Sequence, residues 1–114
     1  MSRRRYIELM TYELKKEQED AFHDAEVNLS IPLHKQMGIK VVSFGPSLHD
    51  RSQYLLIRAF NSEIEYAEQL ANFYACEEWL KIREEIVSRI ISAHKITFWL
   101  EDDHIVCLKN IVLN

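Results

Sequence analysis

The chain has 114 residues, enough for one domain, and its 47% hydrophobic and 28% charged content is ordinary for a globular protein. A net charge of -4 and a pI near 5.7 argue against nucleic acid or an anionic membrane as main partner, because both select for basic surfaces. No apolar run reaches about 18 residues, so no membrane span is expected; Glu8 and Glu13 interrupt any signal-like run after Arg3, Arg4 and Arg5, and a cytoplasmic protein is the expectation.

Tyr6 to Leu14 alternates and is rich in β-formers, so it reads as the first strand. Glu17 to about Met37 reads as helix, with Phe22, Ala25 and Leu29 at helical spacing and Gly38 as its stop. Pro32 interrupts that run: either Ser30 caps a new turn or the helix kinks. Ile39 to about Leu48 reads as a second strand, and Gln53 to Phe60 as a third, joined by the polar turn Asp50-Arg51-Ser52. Ser62 with Glu65 fits a capping box. Ile64, Ala67, Leu70, Ala71 and Tyr74 then form one apolar stripe of a helix. Another helix runs from Glu77 to about Ile91, with Trp79, Ile82, Ile86 and Ile90 inward, and His94 to Leu100 is the fourth strand. Residues 1–100 thus make one domain. Residues 101–114 form a C-terminal extension, in which Ile105 to Leu113 reads as an extra strand or a mobile tail.

The order β-α-β-β-α-α-β predicts an α+β fold, a ferredoxin-like four-stranded antiparallel sheet with helices on one face. In that topology the third strand lies between the first and second. The alternation assigns Ile7, Leu9, Leu55, Ile57, Ala59, Ile96, Phe98 and Leu100 to the helix side. The opposite face then carries Tyr6, Glu8, Met10, Tyr12, Tyr54, Leu56, Arg58, Phe60, Thr97 and Trp99. That face is too apolar for water, so the sheet is expected to meet a second copy and close as a dimeric α+β barrel, a homodimer through the sheet faces. Glu8 and Arg58 are its charges and fall on neighbouring strands, so they are expected to pair.

Phe73, Tyr74 and Trp79 cluster where two helices meet, either as packing or as a pocket wall. The five histidines, His23, His34, His49, His94 and His104, form no HxxxH or HxH pair. Cys76 and Cys107 are too few for a disulfide framework or zinc site and read as buried free thiols. No metal and no cofactor is expected. With Gly38 and Gly45 the only glycines, there is no phosphate-binding loop.

The opening YIELMTYELK, LLIRAF at 55 to 60, NFYACEEW at 72 to 79 and the closing ITFWL together resemble the NIPSNAP-like family of the dimeric α+β barrel superfamily. The matching positions are Glu8, Tyr12, Arg58, Phe60, Phe73, Tyr74 and Trp79. Met10 stands where the family often has arginine, and Ala59 replaces the glycine after Arg58. The resemblance implies the barrel fold and a homodimer, without a settled reaction. The expectation is a protein that binds a small apolar or aromatic molecule, or serves as an interaction module. Glu8, Arg58, Phe73, Tyr74 and Trp79 are its ligand-binding candidates. The alternative is a cofactor-independent oxygenase or isomerase with Tyr12, His34 and Arg58 as catalytic candidates, Arg58 stabilising an enolate oxygen.

Overall fold

The computed structural model describes residues 3–113; Met1, Ser2 and Asn114, at the ends of the two expected segments, lie outside the described residues. Its elements are β1 (Arg4–Leu14), α1 (Glu19–Ala25), a π-helical turn (Glu26–Ser30), α2 (Ile31–Gln36), β2 (Lys40–Pro46), β3 (Gln53–Phe60), α3 (Glu63–Ala75), α4 (Glu77–Val87), β4 (Ile90–Glu101) and α5 (Asp102–Leu113). The four strands form one antiparallel sheet in the order β2-β3-β1-β4, which puts the third strand between the first and second as the topology requires. Among the described residues no helix is long and apolar enough to cross a membrane.

Local sequence explains most boundaries. Ser62 accepts a hydrogen bond from the Glu65 amide at 3.1 Å and starts α3 as its N-cap. Cys76, in extended conformation, separates α3 from α4, and its Sγ accepts from the Trp79 amide at 3.4 Å. Gly38 has φ of 76°, the left-handed conformation that ends α2 at no steric cost. The last strand begins at Ile90, earlier than the helical pattern through Ile91 suggests. Ile90 packs on the core from the strand, and Ile91 points out.

The run from α1 to α2 is one helix interrupted by a wider turn. Pro32 has no N–H, so the Asn28 carbonyl cannot receive its usual partner four residues on. The Ile31 amide instead donates to the Glu26 carbonyl, five residues back. The extra residue shifts the helical phase. Phe22 and Ala25 are buried as expected, with Glu26 on the same face four residues after Phe22, but beyond it Ser30 turns inward and Leu29 is left 36% exposed. The inward place expected for Leu29 is thereby corrected.

The sheet's facing is also corrected. The helices from α1 to α4 cover the side bearing Tyr12, Leu14, Tyr54, Leu56 and Phe60, with Tyr6 and Met10 packed alongside. The other side carries Ile7, Val42, Ile57 and Ala59, on which Ile105 of α5 packs. Period-two alternation separates two sets of side chains but does not say which set meets the helices. Here the long side chains with polar tips face helices that offer them partners, and the small aliphatic set admits α5 at close range. Residues 102–113 are therefore a helix where the sequence allows an extra strand, with Ile105 and Leu108 three apart on its inner side. Ile96, assigned to the helix side by alternation, is 60% exposed. Trp99 is part-exposed, meets the edge of Tyr6 at 5.3 Å and lies under Arg4 at 5.0 Å. Of the two thiols, Cys76 is half-buried and Cys107 exposed, so neither is fully buried as expected.

Candidate functional site

Between the sheet and its helices lies a connected set of polar groups that water does not reach. Glu8, Glu26, His34 and Arg58 are each no more than 2% exposed. Burying charges in this way is costly unless each is paired and hydrogen-bonded. The pairing starts in the strand register, where Glu8 of β1 stands opposite Arg58 of β3. Arg58 Nε donates to Glu8 Oε1 at 2.8 Å, and Nη2 donates to the same oxygen. The other carboxylate oxygen accepts from the Tyr66 hydroxyl at 2.6 Å. Glu8 and Arg58 thus form the expected pair, though beneath the chain's own helices.

Arg58 Nη1 serves two more partners. It donates to the Tyr74 hydroxyl at 2.9 Å and to His34 Nε2 at 3.2 Å. The tautomer of His34 follows from its other contact. Nδ1 lies 2.7 Å from the Ser30 carbonyl, which can only accept, so Nδ1 carries the proton and Nε2 presents a lone pair to Arg58. Burial and the neighbouring guanidinium keep the ring neutral, its pKa lowered to about 4 against the pull of the Ser30 carbonyl. A neutral imidazole with both nitrogens engaged is a structural link, not a free base.

Tyr74 is the outer end of this network. It is 41% exposed, while its hydroxyl and ring both lie on Arg58, whose Cζ is 5.8 Å from the ring centroid. Phe73, Tyr74 and Trp79 do cluster, with ring centroids 5.0 to 5.4 Å apart, and His34 sits 4.3 Å from Phe73. Phe73 and Trp79 belong to the core, and Tyr74 lies over the polar centre from the α3–α4 junction.

Glu26 has no counterpart in the sequence-derived candidates. Four residues after the buried Phe22, at the end of α1, it lies on the inward face, where burial raises its pKa to about 7 despite the Ser30 hydroxyl and the Arg58 charge. Its Oε2 is buried without a hydrogen-bond partner. Its charge reaches Tyr12 of β1 and Tyr54 of β3, and desolvation together with nearby charge pushes both phenols up. Tyr54 in turn meets His23 Nδ1 at 2.6 Å. Tyr12 therefore stays protonated and offers no phenolate to act as a base. Ser30, Tyr66 and Glu26 were the members missed. The spacing of Glu26, four residues after Phe22, is the signal that could have found it, and Pro32 is the local sign of the phase shift that brings Ser30 inward.

Four of the sequence-derived residues meet directly, since Arg58 bonds Glu8, His34 and Tyr74, and Tyr12 lies within reach of the charges of the same network and of Glu26. His49, His94 and His104 lie outside this centre, on the surface. Among the described residues no group of three or more His, Cys, Asp or Glu side chains is placed to hold a metal ion.

No protein-family model and no curated protein sequence matches the chain. Solved structures do. The chain is similar to a NIPSNAP family protein of unknown function from Agrobacterium tumefaciens, with 23% identity over 85% of this chain and 88% of that one and a TM-score of 0.78. It is similar to an uncharacterized NIPSNAP-like domain protein from Burkholderia xenovorans, with 14% identity over 82% and 83% and a TM-score of 0.75. A provisional antibiotic biosynthesis monooxygenase from Nitrosomonas europaea aligns with 14% identity over 82% and 95%, TM-score 0.64. At these identities the likeness establishes the fold, the one that the sequence motifs imply.

Proposed function

From this NIPSNAP-like α+β fold, we propose that the chain is a cytoplasmic homodimer that binds a small aromatic molecule between its helices and its sheet. The observation that carries the reading is Tyr74, which is 41% exposed yet bonded to an Arg58 that is 2% exposed. A part-exposed side chain at a helix junction thus reaches from solvent to a buried cation. Swinging Tyr74 outward frees one Nη1 hydrogen of Arg58 and opens a recess walled by Phe73 and Trp79. An aromatic ligand with one acceptor oxygen fits such a recess, since it replaces both the ring and the hydroxyl of Tyr74. Glu8 holds the guanidinium in place and neutralises it, which favours a neutral acceptor over an anion.

The homodimer rests on the sheet's other face. Ile105 packs at one end of it, while Leu9, Thr11 and Ile96 line a shallow hollow beside Lys95 and His94. A second hollow of about 440 Å³ lies next to it, along Thr11, Leu48, His49 and Leu55. A second copy laid face to face covers both.

Two experiments test these statements separately. Protein purified from cells under mild conditions is examined by native mass spectrometry and its extract analysed for aromatic compounds. A stoichiometric aromatic molecule that is kept in Tyr74→Ala and lost in Arg58→Met supports the interior site; an empty protein that takes up no member of an aromatic library contradicts it. Sedimentation equilibrium of the wild type and of Ile96→Glu tests the second copy, with a dimer expected for the first and a monomer for the second.

The enzymatic reading, a cofactor-independent oxygenase or isomerase, draws on Glu26. A buried carboxyl held near neutrality can both take and return a proton at ordinary pH. Tyr12 and His34 suit that role less, being held in their neutral forms.

A further inference from the structure

The outer face of the sheet is covered at one end only. α5 begins where β4 ends and crosses the strands, touching both edge strands, β4 and β2. Ile105 and Leu108 pack there around the row in which Ile7 stands opposite Ala59 and Phe98. Further along β1, Thr11 stands opposite Leu55 and His94, and this row borders two hollows of about 440 and 150 Å³. Beside it Ile96 is 60% exposed and Leu48 is 74% exposed. Apolar side chains grouped in this way mark an interface.

Size and relief restrict how a second copy can sit there. With strands about 4.8 Å apart and about four open residues on each advancing about 3.4 Å apiece, the open end projects roughly 250 Å². Doubled for the relief of its side chains, it still falls short of the roughly 800 Å² per partner in a stable complex. α5 also stands about 10 Å proud of the sheet, which keeps a second sheet from reaching the open end directly. A helix can reach it. Val106 of α5 is 62% exposed, and a step of about 100° turns it from the side of Ile105 and Leu108.

Symmetry then selects the arrangement. A twofold axis along the strands sets α5 on α5 and holds the open ends apart. An axis across the strands lays each α5 over the open end of the other copy. β4 then lies over β4, so the acidic first turn of α5 comes over the partner's His94. The negative C-terminal end of the helix comes over the hollow beside the partner's His49. Both ends of α5 thus meet imidazoles, and its middle meets apolar surface.

We propose that α5 is the element that joins two copies of this chain: each α5 lies across the open end of the partner's sheet, with Val106 on the partner's Thr11 and Leu55. This rests on the homodimer reading and names the segment that makes it. The two α5 helices lie side by side between the sheets, which are held apart by one helical layer. Ile105 covers the sheet of its own chain, and Val106 covers that of the other.

Sedimentation equilibrium of the full chain and of Val106→Glu, each checked by circular dichroism, tests this. Val106 is exposed within its own protomer, so the exchange leaves the fold intact. The wild type should be a dimer, and Val106→Glu should weaken it about a hundredfold, because each copy then buries an unpaired carboxylate. A second measurement reads the geometry. In Cys76→Ser, Cys107 is the remaining thiol and takes a spin label. Helices packed side by side are about 8–10 Å apart, so pulsed electron resonance should find the two labels within about 25 Å of each other. A monomeric wild type overturns the homodimer and the role of α5 together. Undiminished affinity in Val106→Glu, or labels far beyond that range, overturns the role of α5 and leaves the homodimer standing. If Val106→Glu fails to fold, the label distance decides.

Discussion

Glu26 and His34 sit on one interrupted helix and titrate in opposite senses. Burial raises Glu26 from 4.5 to about 7, so the folded state holds a proton that the unfolded chain releases. Its contribution to stability is present at low pH and is lost as pH rises from about 4.5 to 7. Burial lowers His34 from 6.5 to about 4, so the unfolded chain takes up a proton that the folded state refuses. That contribution is full above 6.5 and is lost as pH falls toward 4. Each is on the order of 3 kcal/mol across its window, and the two oppose each other where the windows overlap. In urea titrations between about pH 4.5 and 6.5, Glu26→Gln should therefore gain stability with rising pH, and His34→Asn should lose it. Curves of the same slope for both variants would contradict the assignment. At the centre of the network, Arg58→Met strands the Glu8 carboxylate and should cost about 3–5 kcal/mol, while Glu8→Leu with Arg58→Met should recover much of that loss.

At the scale of elements, hydrophobic spacing and capping residues marked every strand and the helices on either side of Cys76. Ser62→Ala should lower stability by about 1 kcal/mol, because the Glu65 amide loses its acceptor. The helix before β2 was less legible. Leu29 fits the α-helical stripe set by Phe22 and Ala25, and one inserted residue of phase turns it outward. Phe22→Ala should then cost about 3–5 kcal/mol, whereas Leu29→Glu should fall within about 1 kcal/mol of wild type. Equal, large losses at both positions would argue for a regular helix there. The candidate site suffered from the same gap. Glu8, Arg58, Phe73, Tyr74 and Trp79 could be picked out because a charge in an apolar strand and clustered aromatics stand out in sequence. Glu26 shares a face with Phe22 by its spacing but is passed over because it is charged, Ser30 reads as a surface or capping residue until the turn is known, and Tyr66 is an ordinary polar residue at surface-like spacing.

For the whole molecule, chain order determined topology but left facing open, since both sets of strand residues are apolar enough to be covered. What resolves it is the distribution of polar tips. Tyr54, Glu8 and Arg58 find partners on the helices in His23, Tyr66, His34 and Tyr74, and Ile7, Ile57 and Ala59 need none. The C-terminal acidic break at Glu101-Asp102-Asp103 then reads as a helix start, favourable at the positive end of the α5 dipole. Arg5 ties this start to β1 through Asp102 at 2.8 Å. Ending the chain after Glu101 should uncover Ile7, Val42, Ile57 and Ala59, and an increase in binding of an apolar dye is the expected readout.

The facing of Glu8 and Arg58 across β1 and β3 also bears on how the chain finds its fold. A slip of two residues keeps each side chain on its own face, so hydrophobicity alone tolerates it. Such a slip sets Glu8 against Leu56 or Phe60 and leaves two opposite charges stranded in oil. The pair thus acts as a proofreader that rejects misaligned pairings before the helices close over them. Chains with both residues made apolar should refold to a mixture of pairings even where their final stability is undiminished.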